Sequence, residues 1–197
     1  GVVPTTPNDQ LQLVVGPDIP APGTVFFETE SDENGSLIQV SKTSPKITTQ
    51  PIGGYVVTGE TKILNVVATG TPSPTYQWYK DNTQIPGANG NSYSITNWTD
   101  SKKGNYRVKV TNPYGYDVSN ISTLETGVYP FIVDHPKSNT YSLNSKMTLS
   151  VTASGIPDVK YQWYKDDSPI PGATSKDYTV DKFASSNAGL YKVEVSN

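Results

Sequence analysis

The chain has 197 residues, no Cys, one His and one Met, and its 15 Lys and Arg against 18 Asp and Glu leave a net charge of −3. The lack of Cys excludes disulfide staples, thiolate catalysis and Cys-ligated zinc, and it suits folding in a reducing compartment; a single His likewise leaves no His-rich metal site. The acidic balance carries no electrostatic footprint for nucleic acid, and no apolar run approaches a membrane span, so neither nucleic-acid binding nor membrane insertion is expected.

The first segment, residues 1–45, is distinct in charge: six acids against Lys42 alone give −5. Residues 2–7 and 16–23 are Pro-rich and are expected to be extended. Residues 24–29 and 37–40 alternate apolar and polar around Asn34-Gly35, a strong hairpin signal. A lone hairpin cannot bury enough surface to be stable alone. Phe26, Phe27, Leu37, Ile38 and Val40 are therefore expected to need a covering surface, on a partner or a symmetry-related copy, and they mark this arm as a candidate anchor. Its charge predicts a basic docking patch.

From residue 46 onward the chain repeats itself. Sliding it by 85 residues superimposes 46–112 on 131–197 without a gap, with 24 of 67 positions identical. The hexapeptide at 76–81 recurs at 161–166, Ile85-Pro86-Gly87-Ala88 recurs at 170–173, and Gly104, Tyr106, Val108 and Val110 recur as Gly189, Tyr191, Val193 and Val195. Within each unit the apolar period is two, Pro and Gly punctuate every several residues, and no stretch carries a helical stripe. The expected architecture is all-β: an N-terminal arm with a hairpin (1–45) and two tandem β-sandwiches (46–127 and 128–197), with residues 125–130 as a short, restricted linker.

These residues resemble immunoglobulin-like domains of the I-set type. Trp78 and Trp163 match the buried Trp of that family's strand C, and Tyr106 and Tyr191 match its tyrosine corner. Val66, Val108, Val151 and Val193 stand at the four positions of the family's inter-sheet disulfides. The resemblance thus implies a core of Val66, Trp78, Tyr106 and Val108 in one unit and of Val151, Trp163, Tyr191 and Val193 in the other. A disulfide closing a loop of about 40 residues would contribute roughly 3–4 kcal/mol; facing valines offset part of that without needing oxidation. The family's usual Asp before the corner is Lys102 and Asn187 here, so its customary salt bridge is not expected. The second unit stops at Asn197, the counterpart of Asn112, so it lacks a strand G and the polypeptide is expected to continue.

No residue set suggests an enzyme, a metal site or a bound cofactor. The acidic turn at 28–33 lacks the ligand spacing of a calcium loop and reads as solvated. Asp81-Asn82 and Asp166-Asp167 suit tight turns, and His135 reads as a surface imidazole. No phosphate loop, nucleophile elbow or metal-binding helix motif occurs. Aromatic side chains are the remaining binding candidates: Tyr79, Tyr164, Trp98, Tyr114 and Tyr116 fall at positions read as outward or on loops. The glycosylation-type triplets at Asn34, Asn97 and Asn120 read as coincidental.

Tandem Cys-free units of this kind are similar to those displayed on tailed bacteriophages, including outer capsid and decoration proteins. The resemblance implies a non-enzymatic virion-surface protein, folded in the host cytoplasm, that docks on other capsid or tail proteins through residues 1–45, with homo-oligomerisation and weak attachment to cell-surface glycans as further expectations. Two alternatives stand beside it. One is a bacterial surface adhesin or an accessory module of a secreted enzyme. The other is a tail-tube or baseplate subunit with immunoglobulin-like appendages.

Overall fold

The computed structural model describes residues 19–197, and the Pro-rich stretch at 2–7, with the start of that at 16–23, lies outside them. Seventeen strands and two single helical turns, Asp100–Lys102 and Ser185–Asn187, follow one another along the described residues. The architecture is all-β, with two sandwiches in tandem.

The polypeptide enters through a hairpin. Strand β1 (Val25–Ser31) pairs antiparallel with the first half of β2 (Leu37–Thr49), from Val25 opposite Thr43 to Ser31 opposite Leu37. Asp32 organises the turn: its Oδ1 accepts the N–H groups of Asn34 and Ser36 at 2.9 and 2.8 Å. The acidic turn is thus closed by its own aspartate, the local device that Asp favours. Strand β2 does not end with the hairpin. It crosses residues 45 and 46 unbroken, and its second half becomes the outer strand of the first sandwich.

In that sandwich one layer holds the second half of β2 beside β5 (Val67–Thr71), and β4 (Lys62–Asn65) beside β8 (Ser92–Ile95). The other layer holds β3 (Gly54–Val57), β11 (Ser122–Asp134), β9 (Gly104–Asn112), β6 (Thr75–Lys80) and β7 (Thr83–Gln84), with β10 (Gly115–Val118) continuing β9 through a turn. Between the layers lie Val66, Trp78, Tyr106 and Val108, packed with Leu64, Ile95, Val110 and Leu124, all buried. Period-two alternation puts these side chains on inner faces and their neighbours outside.

The second sandwich repeats the plan with β12 (Met147–Ser150), β13 (Thr152–Ile156), β14 (Lys160–Lys165), β15 (Ser168–Pro169), β16 (Asp177–Val180) and β17 (Tyr191–Ser196). Strand β11 supplies its outer strand, pairing from Val128 onward with β13. Residues 125–130 therefore belong to an uninterrupted strand. One difference between the units is clear. Strand β9 has neighbours on both sides, whereas β17 pairs with β14 alone among the described residues. Tyr106, Val108 and Val110 are accordingly buried, and Tyr191, Val193 and Val195 only half-buried, while Val151 and Trp163, set deeper between the layers, are buried.

Candidate binding surfaces

Two surfaces could meet a partner: the hairpin, and the outward face of the β6–β9 layer with its counterpart β14–β17. Pairing register sorts the hairpin side chains. Val25, Phe27 and Leu37 share one face; Phe26, Glu28, Glu30, Ile38, Val40 and Lys42 share the other. Phe27 is 67% and Leu37 75% exposed, while Phe26 and Val40 are half-buried.

Not all five anchor candidates lack a cover. The Phe26 ring packs on Tyr114 of the turn after β9, with centroids 5.5 Å apart. The Tyr114 hydroxyl donates to Glu28 Oε1 at 2.7 Å, which holds its phenol pKa above the usual value. Lys42 reaches Glu30 at 2.6 Å, and that carboxylate raises the lysine's pKa. Behind the hairpin, Ser44 ties the incoming segment to β2: its hydroxyl accepts from Thr24 N–H and donates to Ala21 O, both at 2.9 Å. The hairpin is thus braced by the first sandwich on one face, where Ile38 near the turn still stays exposed, and Phe27, Leu37 and Val25 remain as the unmatched apolar set of the other.

On the outward face of the first unit, Gln77 lies opposite Lys109, and Tyr79 opposite Arg107. Lys109 Nζ stands 4.1 Å from the centre of the Tyr116 ring, a cation–π contact. In the second unit the same positions neutralise one another. Tyr164 donates to Glu194 at 2.7 Å and Lys192 bonds Asp167 at 2.8 Å; Glu194 raises the tyrosine's pKa and Asp167 raises the lysine's.

Trp98 stands on a loop, as expected, but turns inward instead of offering a binding surface. It is fully buried, and its indole N–H donates to Thr126 Oγ1 at 2.9 Å, whose hydroxyl donates in turn to Asp100 Oδ1. Its polar neighbours Asn97 and Thr99 hid this. The available signal was the repeat itself, which places another aromatic, Phe183, at the same position of the second unit. Lys102, which replaces the family Asp, donates its ammonium to the carbonyls of Thr96 and Asn97 at 2.5 and 2.8 Å. Asn187 instead accepts Ala184 N–H at 2.8 Å. Each unit therefore fixes the approach to its tyrosine corner, where Tyr106 and Tyr191 donate to the carbonyls of Lys102 and Asn187 at 2.7 Å. Asp81-Asn82 and Asp166-Asp167 all adopt positive φ, as a two-residue hairpin turn demands. His135 is exposed.

Comparison with known proteins places this geometry. The protein is 29% identical over 170 residues to the mucosa-associated lymphoid tissue lymphoma translocation protein 1 homolog of Mus musculus, covering 77% of this sequence and 20% of that protein. It is also 29% identical over 134 residues to the highly immunogenic outer capsid protein of Enterobacteria phage T4, covering 63% of this sequence and 35% of that protein. It thus spans only a fifth to about a third of the length of these relatives. Among solved structures, Sidekick-1 immunoglobulin domains 1-5 superpose with a TM-score of 0.59 at 18% identity, covering 89% of this protein and 44% of that one, a likeness of fold. The profile of the immunoglobulin domain matches twice, over residues 44–112 and 130–197, and the chain belongs to that family.

Proposed function

We propose that the protein is a non-enzymatic structural component of a virion surface, a capsid decoration or fibre protein that docks through its hairpin and projects its immunoglobulin units outward. The observation that carries the reading is the similarity to the phage outer capsid protein over 134 residues, in a sequence with no Cys. A virion protein folds in the reducing cytosol of its host, and valine in place of the family disulfide meets that condition. The apolar set Phe27, Leu37 and Val25 supplies the docking surface, and the acids Glu28, Glu30, Asp32 and Glu33 around it favour a basic patch on the receiving protein. The projecting units, with Tyr79, Arg107, Lys109 and Tyr116 outward, would serve weak attachment to a cell-surface glycan.

The test separates docking from folding. Deleting residues 1–36 removes β1 and its turn but keeps β2, which the first sandwich needs. The truncated protein is expected to unfold at nearly the original temperature and to lose association with virions. The double variant Phe27→Ser/Leu37→Ser, altered only at exposed positions, is expected to do the same. Binding of the intact protein should weaken as salt screens the acidic hairpin. Normal occupancy on particles after the deletion would overturn the docking role, and co-purification with a bacterial envelope instead of particles would favour the surface adhesin.

A further inference from the structure

An Asn followed by Gly is prone to attack on its own side chain, because glycine carries no Cβ to hinder the approach of its backbone nitrogen. The sequence holds two such pairs, Asn34-Gly35 and Asn89-Gly90, and the fold treats them differently. The Gly35 N–H, whose nitrogen would be the nucleophile, is held by Asp32 O at 3.0 Å, and the Asn34 N–H by Asp32 Oδ1 at 2.9 Å. Asn89 and Gly90 lie exposed in the loop between β7 and β8. The Asn89 N–H is likewise held, by Gly87 O at 3.1 Å, but neither the Gly90 N–H, the attacking group, nor the Asn89 side chain makes a hydrogen bond among the described residues.

We propose that Asn89 is a site of spontaneous deamidation that ages the first unit selectively. Hydroxide removes the Gly90 amide proton, and the nitrogen attacks Cγ of Asn89. A new N–Cγ bond forms, the Cγ–Nδ2 bond of Asn89 breaks, and ammonia leaves. Water then opens the cyclic imide at either carbonyl, giving Asp or isoaspartate. The net reaction consumes one water, releases one ammonia and involves no redox change. Isoaspartate inserts the β-carbon into the backbone, and it does so beside two core attachments. Gly90 O accepts the buried Trp78 indole N–H at 3.0 Å, and Asn91 O accepts Val66 N–H at 2.9 Å. The second unit bonds Trp163 to Ser175 O at 2.9 Å in the same way. Its counterpart pair is Thr174-Ser175, which cannot react.

The test incubates the full-length protein in warm, mildly alkaline buffer and maps peptides by mass, with isoaspartyl methyltransferase labelling to identify the product. A gain of one mass unit is expected at Asn89 well ahead of Asn34, and the two rates should converge in denaturant, where the turn hydrogen bonds are gone. Thermal unfolding should show the first unit's transition falling with incubation time while the second unit's holds. Asn89→Thr, which copies the second unit, should stop both the labelling and the drift. Equal rates at Asn34 and Asn89 in the folded protein, or an unreacted Asn89, would overturn the site. Conversion without loss of stability would overturn its link to the Trp78 attachment.

Discussion

Trp78 is fully buried, with its only polar atom satisfied by a backbone carbonyl from a distant loop. Trp78→Ala is therefore expected to cost about 3–5 kcal/mol, read as a drop in the urea midpoint. Trp98→Phe is a milder case, since it removes one hydrogen bond and some area but keeps the aromatic that the second unit uses at that place. It should cost about 1 kcal/mol. Tyr106 offers a pH probe. Burial, with Tyr93 and Asp81 nearby, pushes its phenol up to about 12. In the unfolded state the phenol loses its proton near pH 10, so above that pH the unfolded state binds fewer protons than the native one and stability falls with pH. The contribution is whole below about pH 10 and is lost on the way to about 12. Tyr106→Phe is expected to make the alkaline slope shallower in chemical denaturation measured across that range, at the cost of the hydrogen bond to Lys102 O.

At the scale of elements, the two outer strands show how tightly the repeat is kept. Strand β2 pairs with β5 through Thr43–Thr71 and Lys46–Thr69, and β11 pairs with β13 through Val128–Ile156 and Phe131–Ser154, the same register displaced by one period, with the same bulge. Pro45 and Pro130 sit in that bulge, where a residue without an N–H can be held in a sheet. Asn112 and Asn197 close the arrangement: Asn112 Nδ2 donates to Thr43 O and Pro72 O at 2.8 and 2.9 Å, and Asn197 Nδ2 donates to Val128 O and Pro157 O at 2.7 and 3.1 Å. Asn112→Ala should cost about 1–3 kcal/mol through the orphaned carbonyls. Gly53 is needed for a different reason. A Cβ there would lie 2.3 Å from Thr123 O of β11, so Gly53→Ala should be strongly destabilising, checked by thermal unfolding. The duplication and the alternation were legible because each is a local pattern written twice. That β2 runs on from hairpin to sandwich was not legible. Between Val40 and Ile47 the apolar alternation lapses, Pro45 reads as a stop, and the hydrogen bonds that carry the strand through come from Thr71, Thr69 and Asn112, far along the sequence.

For the whole molecule, the decisive feature is that β2 and β11 are each 13 residues long and each serves on both sides of a junction. Nothing of the repeat is left over as spacer: the connection is itself half of one body and half of the next. Heredity can therefore lengthen such an array without inventing a linker. Duplicating residues 43–127, one full period of 85 residues, joins the first half of β11 to the second half of β2 already in phase. The enlarged protein is expected to fold with an extra sandwich and an intact junction, seen as an additional transition of matching size in single-molecule extension. Cutting and pasting at 46–127 instead falls three residues short of the period, so the joined half-strands lose their register and misfolded product is expected. The strand and the unit of recombination are offset: the copy that keeps the fold is cut inside a strand at both ends.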